Sequence, residues 1–270
     1  MKLNNLNFHQ TFPPDEAMLS RLLNSEVFGE ALTKEEISQQ TGIPTGKSSG
    51  KVEPHISYAR FMGLLEDYYS DGKHTLTLTK LGELVLEEDP GLSENVTRML
   101  CHLRMVSPYG GAPLWETIMS EVLPHQPRGV SLLSLMDSLK RESTSNINLG
   151  PFFSSYEGGL FGPLDLIEKG DDQVKLSKHV VDHELIFVYA YALFREWELA
   201  FPGQDELTAT ELESLKMPDS IGWKETELYL VLEQMQDKGL IVFNRQLTPY
   251  TVTKNFAADD MIPKLYSELF

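Results

Sequence analysis

The tightest constraint on this chain is local: Thr33 stands three residues before Glu36, and Gly42 and Pro44 follow shortly after. A Thr hydroxyl and a Glu carboxylate at that spacing form a capping box, so a helix opens at Thr33, runs through Gln40 and ends at the glycine. From about Glu53 to Glu66 the apolar residues Tyr58, Phe61, Met62 and Leu65 recur at helical spacing and predict a second helix. Ser70-Asp71-Gly72-Lys73 reads as a hairpin turn, and Thr75 to Thr79 alternates as a strand does. A further helix, from Pro14 to Leu23, precedes this set, with Asp15 and Glu16 in its first turn. Helix, turn, helix and β wing is the order of a winged helix.

A similar order returns near the carboxyl end. Thr208–Leu215 reads as a short helix, Trp223–Lys238 as a longer one closed by Gly239, and Leu240–Val252 as two strands around Leu247-Thr248-Pro249. The similarity lies in architecture and not in letters. Helices are expected at Asn95–Val106, Ser131–Arg141 and His183–Leu199, with a Gly-rich passage at Gly158–Gly162 and exposed connectors at Gly46–Gly50 and Glu142–Asn148. The expected fold is mainly α: tandem winged-helix units joined by a helical middle region. The boundaries fall at 1–110, 111–180 and 181–270.

Charge narrows the function classes. With 40 acidic and 23 basic residues the net charge is -17, so the average surface repels phosphate, and a nucleic-acid site has to be a local basic island. The single cysteine, Cys101, excludes an intrachain disulfide and a multi-thiolate zinc site, and fits a reducing cytoplasm. The amino terminus lacks an apolar signal core. The longest apolar stretch, Leu185–Phe194, is too short to cross a bilayer, so no membrane partner is expected.

The segment Thr41-Gly42-Ile43-Pro44-Thr45-Gly46-Lys47-Ser48-Ser49-Gly50-Lys51 invites a nucleotide-loop reading, but the glycine that motif needs five residues before Gly46 is Thr41. The segment also joins two helices instead of following a buried strand, so no nucleotide is expected. A clamp on a phosphate backbone fits better, since glycine lets the backbone approach while lysines and hydroxyls neutralise and bond. From Thr41 to Leu64, Lys47, Lys51 and Arg60 against Glu53 give a local charge of +2. Lys47, Ser48, Ser49, Lys51, His55 and Arg60 are therefore the candidate DNA-binding residues, beside a helix start that favours phosphate. A solvated surface turn explains the same letters.

Between Asn7 and Glu16 the chain carries His9, Thr11, Asp15 and Glu16. An imidazole and two carboxylates could hold a divalent metal such as magnesium, or act as acid and base on a phosphodiester, which makes His9, Asp15 and Glu16 the candidate catalytic residues. On the alternative reading, Phe8 and Phe12 anchor the terminus in the core and the carboxylates complement the helix dipole. His179 and His183 lack the glutamate of a zinc-protease helix and read as a helix start. His102 reads as a structural hydrogen-bonding group, and Cys101 has no activating neighbour. Neither a Gly-x-Ser-x-Gly nucleophile motif nor a dinucleotide fingerprint occurs.

Several segments together carry a resemblance: Phe8-His9-Gln10-Thr11-Phe12, the run from Gly42 to Ile56, Tyr58-Ala59-Arg60-Phe61-Met62-Gly63-Leu64, Leu78-Thr79-Lys80-Leu81-Gly82 followed by Glu88-Asp89-Pro90, and Phe161-Gly162-Pro163-Leu164-Asp165-Leu166-Ile167. The chain resembles the domain-of-unknown-function family that includes SspB, encoded beside bacterial DNA phosphorothioation genes. The resemblance implies a DNA-nicking component of a defence system that replaces a non-bridging phosphate oxygen with sulfur. It also implies partners: a cysteine desulfurase, an ATP-using sulfurtransferase and an ATPase. The family's opening run is Gly-His-Glu-Thr-Phe-like, so Gln10 stands where a carboxylate is usual, which puts a metal-ligand role at that position in doubt. A non-enzymatic winged-helix adaptor or transcription regulator is the competing expectation, and self-association is left open.

Overall fold

A computed structural model describes residues 6–46, 50–142, 147–246 and 249–269. Lys47, Ser48 and Ser49, residues 143–146 of the second connector, and Leu247–Thr248 of the expected carboxyl-terminal turn lie outside the described residues.

In chain order the elements are α1 (Glu16–Leu23), β1 (Ala31–Leu32), α2 (Lys34–Thr41), α3 (Val52–Phe61), β2 (Leu65–Ser70), β3 (Lys73–Leu78), α4 (Lys80–Glu88), α5 (Asn95–Met105) and α6 (Pro113–Glu116). There follow β4 (Val130–Ser131), α7 (Leu132–Glu142), α8 (Gly150–Glu157), β5 (Ile167–Lys169), β6 (Gln173–Leu176) and α9 (Ile186–Ala200). The last elements are β7 (Glu206–Thr208), α10 (Ala209–Glu213), α11 (Met217–Ser220), α12 (Glu225–Asp237), β8 (Ile241–Asn244) and β9 (Thr251–Lys254).

One arrangement occurs three times. A short strand leads into helices, a hairpin follows, and the first strand pairs antiparallel with the second strand of the hairpin, giving the orders β1-β3-β2, β4-β6-β5 and β7-β9-β8. The protein is therefore mixed α/β instead of mainly α, and the middle region, expected to be helical, carries a sheet of its own. Strands β4, β5 and β6 are two to four residues long, too short to show a period of two in the sequence.

The strand-to-helix junctions share one device. Thr33 caps α2 and Thr208 caps α10 as full capping boxes with Glu36 and Glu211. At the middle junction, the Ser131 hydroxyl accepts from the Ser134 N–H at 3.1 Å. Leu32-Thr33-x-x-Glu36 and Leu207-Thr208-x-x-Glu211 are the same letters, so the first and third units do share a local sequence signal. Each cap satisfies a helix-start N–H that would otherwise lack a partner.

The first hairpin turns through Asp71 (φ 52°) and Gly72 (φ 77°), both left-handed as a two-residue turn of that type requires. The second helix of this unit ends at Phe61, five residues before the expected Glu66. Gly63 adopts φ 75° and stops it, and Leu65 onward pairs with β3. The apolar stripe runs across this boundary because Leu65 is buried in the strand as it would be in the helix.

A contiguous hydrophobic core runs through all three spans. At its centre α5 packs against α9, which buries ten of its 15 residues; the longest apolar stretch is thus a core helix. No described helix is long and apolar enough to cross a membrane. The amino-terminal segment is held by edge-on aromatic contacts of Phe8 with Tyr58 (4.9 Å) and Phe61 (4.7 Å), beside Trp115.

Candidate functional site

The segment from Phe12 to Ala17, the start of α3 and the end of α8 enclose a cleft of about 470 Å3. Asp15, Glu16, Lys51 and His55 line one side, and Ser154, Gly158, Gly159 and Leu160 the other. The second wall comes from far downstream, where the sequence shows a glycine-rich passage but no motif that pairs it with Asp15 or Lys51. Gly159 is required, because a Cβ would lie 2.7 Å from the Ser154 carbonyl oxygen.

Local chemistry explains why these side chains meet. Asp15 caps α1, accepting from the Met18 N–H at 3.1 Å. Its own N–H donates to His55 Nε2 at 3.2 Å, while His55 Nδ1 lies 2.6 Å from the Lys51 carbonyl. Nδ1 therefore carries the proton, both ring nitrogens are occupied, and burial holds the imidazole neutral by lowering its pKa. Tyr58, also buried, donates to the Phe12 carbonyl at 2.9 Å. Glu16 pairs with Arg98 of α5 at 3.4 Å. Lys51 stands at the start of α3, which has no side-chain cap, with Nζ 5.3 Å from the Phe12 ring centroid.

Other candidate residues lie apart. Arg60 is exposed and stacks on the Phe61 ring at 4.4 Å, nine residues along α3 from Lys51, or about 13 Å of helix axis. Seven of the ten α3 residues are buried, His55 among them, so the helix presents little surface beyond its two ends. His9 is fully buried and does not line the cleft. Its Nδ1 accepts from the Thr11 N–H at 3.1 Å, Nε2 is buried with no partner among the described residues, and burial lowers its pKa to about 4. His9 thus braces a turn in which Gln10 (φ 46°) and Thr11 (φ 81°) are both left-handed, a strained state for a β-branched residue.

Within the described cleft Lys51 faces Asp15 and Glu16, the latter paired with Arg98; of the expected +2 island only Lys51 is placed here, Arg60 lying apart and Lys47 outside the described residues. Among the described residues no three His, Cys, Asp or Glu side chains converge as a metal cage. Asp15 and Glu16 face an open cleft, Glu16 beside its Arg98 partner; magnesium is commonly held by one or two carboxylates and completes its shell with water and phosphate. Elsewhere, His102 Nδ1 pairs with the Tyr156 hydroxyl at 3.0 Å. His179 Nε2 pairs with Tyr189 at 2.8 Å while His183 is exposed, and Cys101 is buried with its thiol pKa pushed up.

The molecule is thus defined as a mixed α/β protein of three strand–helix–hairpin units with a cleft bearing two carboxylates and a lysine between the first and the second. No family model and no curated protein matches the sequence. Two solved structures share the fold over 97% of this chain and 87% of theirs, at 16% identity: a magnesium ion-bound SspB crystal structure (TM-score 0.76) and an SspB crystal structure (TM-score 0.77). The chain has the SspB fold.

Proposed function

We propose that the protein is a DNA-binding component of a phosphorothioation system that nicks one strand with a divalent metal, and that each unit is a winged helix. The observation that carries this is the convergence of Asp15, Glu16 and Lys51 on one cleft in a chain of SspB fold. The 1-3-2 sheet order behind a helix pair supports the winged-helix reading. Since α3 is mostly buried, DNA is engaged at the start of the helix and not by sinking the helix into a groove.

In this reading Asp15 and Glu16 hold magnesium, which when bound neutralises phosphate charge and acidifies water. Lys51 contacts a neighbouring phosphate, joined by Lys47, Ser48 and Ser49, which precede it in the sequence, and by Arg60 further along the DNA strand. His55 touches no substrate: it fixes the backbone at Asp15 and Lys51. His9 keeps the strained turn closed and acts through position alone. Partners are the desulfurase, sulfurtransferase and ATPase of such a system, in the cytoplasm, and no nucleotide binds.

The test is conversion of supercoiled plasmid to open circles in magnesium. Asp15→Asn preserves the helix cap, and Asp15→Asn with Glu16→Gln should lower nicking at least tenfold with an unchanged thermal midpoint. Equal nicking by the double variant removes the carboxylates from the chemistry. A second reading, a non-enzymatic adaptor or regulator that recruits basic partners, is favoured by the net charge of -17. Absence of metal-dependent nicking by wild type, with partner binding retained, selects it.

A further inference from the structure

Arg104, on α5, has two guanidinium nitrogens, Nε and Nη1, that are buried and have no partner among the described residues. The chain makes room for this group. Gly63 has a positive φ, and a Cβ there would collide with Arg104 Nε. Across from it, on α9, stands a second arginine, Arg195, whose Nη1 donates to the Tyr109 carbonyl at 3.3 Å. The two line one pocket with Ser107, Pro108, Glu196 and Ser220.

Two neighbouring cations in a protein of charge -17 are not explained by a shortage of carboxylates. The carboxylate at hand, Glu196, has both oxygens committed, accepting from Lys216 N–H at 2.6 Å and Met217 N–H at 2.8 Å. Leaving charged donors buried and unmatched is costly; Nε packs against Gly63, outside the pocket lining, so it is the remainder of the guanidinium that a group in the pocket can meet. Burial pushes the Arg104 pKa down, with Tyr191 opposing the shift and the nearby Arg195 charge adding to it. The free space is about 20 Å3, room for one water-sized atom. Ser107, Pro108 and Arg195 at its lip are at least partly exposed.

We propose that Arg104 and Arg195 form an oxyanion site that takes one oxygen of a phosphate group into this pocket while the rest of the group stays at the mouth. Guanidinium pairs suit this ligand because their donors match its oxygens in a fixed geometry. The phosphate is either free or part of a nucleic-acid backbone. The site shares no lining residue with the cleft, so it stands or falls separately from the nicking reading.

The experiment uses inorganic phosphate as the probe on the full chain. At fixed ionic strength and pH, replacing chloride by phosphate should raise the thermal midpoint by several degrees at saturation, and the phosphate 31P resonance should broaden. Arg195→Gln and Arg104→Gln should each abolish both responses. Should Arg104→Gln fail to fold, the half-exposed Arg195→Gln and the wild-type titration still decide. No phosphate effect in wild type, or an effect unchanged in Arg195→Gln, overturns the site. A short DNA duplex that sharpens the broadened resonance by displacement supports the site with a backbone phosphate as ligand; a duplex without effect on a confirmed resonance supports it with free phosphate.

Discussion

His55 ties two helix starts together: its Nε2 accepts from the N–H of Asp15, the cap of α1, and its Nδ1–H donates to the carbonyl of Lys51, where α3 begins. The two side chains that face the cleft from opposite polarity are thus fixed relative to one another by an imidazole that touches neither. His55→Ala leaves the partly buried Asp15 N–H without its acceptor, takes one of two donors from the Lys51 carbonyl, which still accepts from the residue-55 N–H at 3.2 Å, and removes a buried ring, at a cost of about 3 kcal/mol. Urea unfolding measures it. A loss below about 1 kcal/mol would mean that the ring does not hold the two helices.

The capping boxes at Thr33 and Thr208 perform one task in units far apart in sequence. Thr33→Ala and Thr208→Ala should each cost about 1 kcal/mol, and the double variant about 2 kcal/mol, because distant sites without shared partners add. Ser substitutions should retain most of the stability. A double variant no less stable than either single one would show that the two junctions do not unfold with the whole.

These caps also show which parts of the fold are written in short stretches of sequence. Thr33 with Glu36, the Asp71-Gly72 turn and the α5 stripe are signals carried within a few residues, and all are present in the fold. A continuous apolar stripe misleads where it crosses an element boundary. Leu65 fits both a helix and a buried strand, and only the left-handed Gly63 separates them. The cleft is half legible: Asp15, Glu16, Lys51 and His55 are candidates by residue type and spacing, but Ser154, Gly158 and Gly159 reach them through long-range packing that no short motif encodes. The same limit hides the burial of His9.

Acid should weaken this protein through its buried histidines, opposed by Glu116 and Glu196, whose pKa values burial raises and whose native-state protonation favours the fold as pH falls. Burial lowers the pKa of His9 to about 4 and of His102 to about 3, and lowers those of His55 and His179 as well. The unfolded chain takes up protons near pH 6.5 that the native state refuses, so stability is full above that pH and falls as pH drops toward the folded values. Each responding histidine contributes a slope of about 1.4 kcal/mol per pH unit. Glu36 and Glu211, held below the usual carboxylate range by backbone and hydroxyl donors of their capping threonines, respond only below about pH 4.5 and stay silent in this window. Urea titrations at pH 7, 6 and 5 should therefore show a steady decline, flattened in part by His102→Gln if that variant folds. Stability unchanged between pH 7 and 5 would contradict the burial of neutral rings.

Lys51 should set how salt governs DNA binding. Each lysine that neutralises a phosphate releases counterions, and the slope of log affinity against log salt falls by about one unit when such a contact is removed. Lys51 lies over Phe12 at the uncapped start of α3, where backbone N–H groups and the helix dipole also favour phosphate, so removing it costs a positioned charge and not a mobile one. In the proposed reading Asp15, and Glu16 beside its Arg98 partner, oppose it in the same cleft, which makes the contact conditional on magnesium: without the metal the carboxylates repel the backbone that Lys51 attracts. Lys51→Ala is therefore expected to weaken binding to all sequences about equally, and to lower the salt slope by about one with magnesium present and by much less without it. Fluorescence anisotropy with two unrelated duplexes, across a salt series and with or without magnesium, gives all the slopes. An unchanged slope in magnesium places the phosphate contact away from α3.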